Sequence, residues 1–109
     1  MSATPAGEVK RNLVVQRWGT PDVTIGSVNE AREMEEHGHR FNEKWIYRSS
    51  RTEAGPRERV IYWIRYDFVA SYLIDATGGA RREDPGALLA GLDDRLYHSQ
   101  VERRPSLRR

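Results

Sequence analysis

The chain has no cysteine, which excludes disulfide staples, thiolate metal centres and a cysteine nucleophile. No apolar run approaches the ~20 residues that a membrane-spanning helix needs. Met1 to Gly7 are small and polar, without the apolar stretch of a secretory signal. These absences point to a cytoplasmic protein with no membrane partner. Lysine is scarce as well: Lys10 and Lys44 are the only two, so arginine carries nearly all the positive charge. Arginine forks onto phosphates and carboxylates and stacks on rings. A preference for arginine codons explains the same bias, and the formal net charge is only +2, so basicity alone argues weakly for nucleic acid.

What is abundant is aromatic side chain in one region. Seven of the ten aromatic residues lie between positions 45 and 72, interleaved with arginines. Rings at this density build either a core or a binding face. The length of 109 residues and 38% hydrophobic content suit one small domain with one core. Residues 1–10 read as a flexible leader, 11–102 as a single domain and 103–109 as a basic flexible tail.

Asn12 to Trp18 is apolar enough for a first strand or a short helix, and Gly19-Thr20-Pro21-Asp22 forces a turn. Val23-Thr24-Ile25 is a short β-prone piece. Ser27 to Glu30 fits a capping box, and the acidic run Glu30, Glu33, Glu35, Glu36 ends at His37-Gly38-His39 with a glycine placed as C′. The expectation is a short surface helix, or an acidic loop if the cap fails. Lys44 to Arg51 alternates as a strand, Trp45 and Tyr47 on one face, Ile46 and Arg48 on the other. Arg59 to Asp67 alternates more strongly, with both faces apolar, and reads as a central strand. Phe68 to Ala76 is a third run, joined to the second by a tight turn or a bulge and ended by Thr77-Gly78-Gly79. Asp84-Pro85 starts a last helix, with Leu88, Leu89, Leu92 and Leu96 as its apolar stripe. The fold class is α+β: a small antiparallel sheet of three or four strands with one or two helices packed on one face.

Candidate chemistry is sparse. His37-x-His39 with Glu33 or Glu36 has the donors of a metal site but no convincing third ligand spacing, and His98 stands alone. Asp67 and Asp75, flanking the third strand, are the best acid–base candidates, although a strand-end charge explains Asp67 as simply. No nucleophile elbow is present, and Gly78-Gly79 lacks the spacing of a phosphate loop. Arg103-Arg104-Pro105-Ser106-Leu107 matches a basophilic kinase consensus, a short string that recurs by chance. The order of a strand, the Gly19-x-Pro21 turn, the Lys44-Trp45-x-Tyr47 strand and a second long strand vaguely resembles the small outer-membrane assembly lipoproteins of two-helix, three-strand layout. The chain lacks their lipobox cysteine and orders its helices differently, and nothing of their function is carried over.

These residues support a small non-enzymatic binding or accessory domain. It would dock a protein partner, or a second copy of itself, through an aromatic and arginine-rich sheet face, with Trp45, Tyr47, Trp63, Arg65 and Arg48 as contacts. The alternative is single-stranded nucleic-acid binding on the same face. A third reading is a small-molecule pocket or enzyme between sheet and C-terminal helix, which needs Asp67, Asp75 or a histidine lining a cavity. No cofactor or metal is implied.

Overall fold

Runs that alternate with period two pair into one antiparallel sheet, and short, mostly exposed runs become its edges. In the computed structural model, which describes residues 6–48 and 56–90, a 3₁₀ turn (Ala6–Glu8) leads into helix α1 (Arg11–Trp18). Strands β1 (Val23–Gly26), β2 (Met34–Glu36), β3 (His39–Phe41) and β4 (Glu43–Arg48) follow. Then come β5 (Pro56–Ile64), β6 (Asp67–Asp75), β7 (Ala80–Arg82) and helix α2 (Pro85–Ala90). The main sheet has five strands in the order β1-β4-β5-β6-β7, and β2–β3 is a separate two-stranded hairpin. An antiparallel sheet with two helices is as expected, but its strand number is five rather than three or four. The additional strand, β7, has three exposed residues and therefore no alternation to reveal it.

β5 lies at the centre, as its two apolar faces require. Its register with β6 runs from Val60 opposite Tyr72 to Tyr62 opposite Ala70, then shifts so that Trp63 meets Phe68. The join between the two strands therefore uses both devices, a tight turn at Arg65-Tyr66 and a bulge at Val69. On the inner face, Trp45, Tyr47, Ile61, Trp63 and Leu73 pack with Val14 and Trp18 of α1, Leu88 of α2 and Val9. Val9 is thus part of the core, although it falls within the stretch expected as a leader. On the outer face, Ile46, Val60, Tyr62 and Ala70 pack beneath Phe41 and Met34 of the hairpin.

The helices are short and are held by named contacts. Val14 and Trp18, at i and i+4, are the buried side of α1. The indole Nε1 of Trp18 donates to the Leu88 carbonyl at 2.9 Å, tying α1 to α2. Asp84 caps α2 by accepting from the backbone N–H groups of Gly86 and Ala87. Leu88 and Leu89 take the inward positions of the expected stripe; Leu92, Leu96, His98 and the basic tail lie outside the described residues.

The acidic stretch is not a helix. Ser27 makes only a turn, accepting from Asn29 N–H through its hydroxyl and from Glu30 N–H through its carbonyl, and the chain then enters β2. His37 (φ 54°) and Gly38 (φ 79°) form a two-residue turn with both residues left-handed, the type I′ geometry that matches hairpin twist. Gly26 (φ 79°) has a different reason to be glycine: an added Cβ would run into the backbone carbonyl of Asn42.

Candidate functional site

The five residues expected as contacts do not share a surface. Trp45, Tyr47 and Trp63 are 5%, 1% and 0% exposed, because they project from the face on which α1 and α2 pack. The Trp45 indole N–H donates to Glu43 at 2.8 Å, and the Tyr47 hydroxyl donates to the Gly19 carbonyl at 2.7 Å. Burial pushes the Tyr47 hydroxyl far above its ordinary pKa, so it remains a donor. A ring surface on which bases could stack is therefore not presented by these three residues. Arg48 is exposed at the far end of β4 and pairs with Glu58 across the ladder at 3.3 Å. Arg65 lies at the other end of the sheet, in the β5–β6 turn.

That end gathers groups from several elements. Arg65 is a non-glycine residue at φ 56°, a conformation costing roughly 1–2 kcal/mol. Its backbone N–H donates to Asn42 Oδ1 at 2.8 Å, and its guanidinium donates to the carbonyls of Val28 and Glu30, both at 3.2 Å. Asn42, fully buried, also donates to the Glu30 carbonyl at 3.0 Å, so one amide binds the turn to the 27–33 loop. Beside this support, Tyr66 is 68% exposed, the most open large ring among the described residues. Arg11 at the start of α1 sits 4.9 Å from the Trp45 ring centroid, 5.4 Å from that of Trp63 and 5.9 Å from that of Tyr66. A two-oxygen pairing with Glu43 holds its guanidinium there. Asn42 is not singled out by the sequence, and Tyr66 reads there only as one ring of the aromatic strand face on which bases could stack, not as the tip of a turn. The signal available was the join of two long strands without glycine, which places whatever residues stand there at a hairpin tip.

A second cluster lies on the outer face, where the hairpin crosses the sheet. Glu36 accepts from the Tyr62 hydroxyl at 2.7 Å and from Lys44 Nζ at 2.9 and 3.0 Å. Burial raises its pKa, but these hydrogen bonds and the Lys44 and His37 charges outweigh that, and its carboxyl is held below the ordinary value. His39 Nε2 and the Tyr72 hydroxyl are 2.9 Å apart, and the His37 ring stacks on Tyr72 with centroids 4.3 Å apart. Both histidines are thus brought near Glu36, but His39 Nε2 is engaged by Tyr72, His37 meets the sheet through its ring face, and Glu33 pairs with Arg40. Among the described residues no three histidine or carboxylate groups converge on a metal position.

The carboxylates considered for acid–base work are both exposed. Asp75 accepts from Thr77 and Gly79, which hold its carboxyl below the ordinary value, and it closes the β6–β7 turn. It borders an open hollow of about 410 Å³ with Arg48, Arg57 and Glu58 at the sheet's end. The groove between α1 and α2, about 350 Å³, is lined among the described residues by Leu13, Gln16, Arg17 and Leu89, none of them a carboxylate or histidine. No described helix is long and apolar enough to cross a membrane. The chain matches no protein-family model, no curated protein and no solved structure.

Proposed function

We propose that this is a small non-enzymatic, cytoplasmic binding domain that docks a protein partner through the end of its sheet where Arg11, Arg65 and Tyr66 meet. The observation that carries the reading is the bare Tyr66 ring on a turn fixed from three sides. A rigidly supported tyrosine loses little conformational entropy when it is covered, and tyrosine and arginine recur at the energetic centres of interfaces. Backbone strain of the kind seen at Arg65 persists where surrounding contacts over-determine it, and such positions cluster at binding turns.

The test places a photo-crosslinking benzoylphenylalanine at position 66 of the full chain in the cells it comes from, with position 24, exposed on β1, as control. A discrete adduct at 66 and none at 24 is expected, and excess wild-type chain should suppress it while Tyr66→Ala chain should not. An adduct at twice the chain's 12.6 kDa would identify the partner as a second copy. No adduct, or equal adducts at both positions, overturns the reading.

A further inference from the structure

We infer that the β2–β3 hairpin is a pH-sensitive cover over the outer ring face, held closed by neutral His39 against Tyr72 and released when that imidazole takes a proton. The hairpin belongs to no larger sheet: its three residue pairs bond only to each other, and it adheres to the main sheet through side chains. Met34 and Phe41 are its apolar anchors, while its turn end is polar and rests on Tyr72 and Tyr62. Removing it uncovers Tyr62, Ala70 and Val60, the second set of the alternating rings and its apolar neighbours.

The groups facing the pin determine the direction of the switch. From β7, Arg82 stands opposite Tyr72 in the ladder, and from the hairpin turn His37 lies on the same ring. Glu36 of β2 is the nearby carboxylate, but Lys44 of β4 and Tyr62 of β5 already occupy both its oxygens. Arg40 is paired with Glu33. The neutral ring can meet the Tyr72 hydroxyl through Nε2 as acceptor or donor according to its tautomer, whereas the protonated ring can only donate there and adds a positive charge beside Arg82. Burial, Arg82 and His37 all hold the His39 pKa below 6.5. A histidine with a depressed folded-state pKa resists protonation that the open state accepts. Closure is therefore strongest above pH 6.5 and weakens as pH falls from there to the closed-state value.

Hydrogen exchange on the full chain, corrected for intrinsic rates, tests this at pH 7.5 and pH 5.5. Amides of residues 34–41 should open several-fold more at the acid pH, while those of Ile61 and Trp63 stay protected. His39→Gln, which can still bond to Tyr72 but takes no proton, should remove the pH dependence. Arg82→Gln, an exposed change that leaves the hairpin's contacts in place, removes one cause of the depressed closed-state pKa and should diminish the acid release. Equal protection of the hairpin at both pH values overturns the inference, as does acid release retained in His39→Gln or simultaneous opening of the central strands. None of these readouts depends on Tyr66, so this inference and the docking reading stand or fall separately.

Discussion

Arg59 shows how a single residue can matter more to this fold than to its surface. It is fully buried on β5, its guanidinium 3.8 Å from the Trp18 ring centroid. Two hydrogen bonds of 2.8 and 2.6 Å join it to Glu83, which also accepts from Ser71. Its remaining Nη1 has no hydrogen-bond partner among the described residues. Desolvating both charges offsets much of what the pair contributes, whereas breaking it leaves one charge buried alone. Glu83→Ala should therefore cost about 3–5 kcal/mol in urea unfolding. The double change Arg59→Met with Glu83→Leu should recover most of that loss; if it does not, the pair is worth more than apolar packing in its place. Tyr66→Ala, by contrast, should change stability by less than about 0.5 kcal/mol in the same measurement, because the ring is exposed. A larger loss would make Tyr66 a structural residue rather than a docking one.

At the scale of elements the hairpin is the informative part, because one pair of residues supports two readings. A glycine after an acidic run signals a helix C′ position, and the same left-handed φ serves a type I′ turn. His37-Gly38 therefore fits both, and tertiary packing of Phe41 and Met34 on the sheet decides for the hairpin. A Cβ at Gly38 would meet nothing within 4 Å, so Gly38→Ala isolates the cost of φ 79° alone. The expected loss is roughly 1–2 kcal/mol, confined to exchange of the hairpin amides. Uniform loss across the sheet would mean that the hairpin and sheet open as one unit. The alternation of rings in β4 and β5 was legible because period two is a local property. Which ring set meets solvent was not legible, since each is covered by elements distant in sequence: the inner set by α1 and α2, the outer by the hairpin. The candidate site was less legible still. Arg65 was singled out, but its role depends on Asn42, Val28 and Glu30 arriving from another part of the chain.

The described residues form a five-stranded sheet with an apolar cluster on each side, the outer one under the β2–β3 hairpin, and all three tryptophans lie in the inner one. Trp45 and Trp63 are in tilted contact at 5.0 Å, with Arg11 closing the solvent side. Tryptophan emission therefore reports one cluster alone. Native emission should be blue-shifted and poorly quenched by iodide, with full quenching only after denaturation. The same burial predicts the outcome for nucleic acid. Stacking contributes about 1–3 kcal/mol per base on an open ring, and without the tryptophans Tyr66 and charge remain, part of that charge already paired in Arg11–Glu43, Lys44–Glu36, Arg48–Glu58 and Arg59–Glu83. A labelled oligonucleotide should thus show at most the weak, steeply salt-dependent binding of unspecific charge contacts, around 10⁻⁴–10⁻⁶ M or weaker at physiological salt. Tight binding that persists at high salt, together with iodide quenching that the oligonucleotide abolishes, would mean that the inner face opens to solvent, and would return the function to the tryptophans rather than to Tyr66.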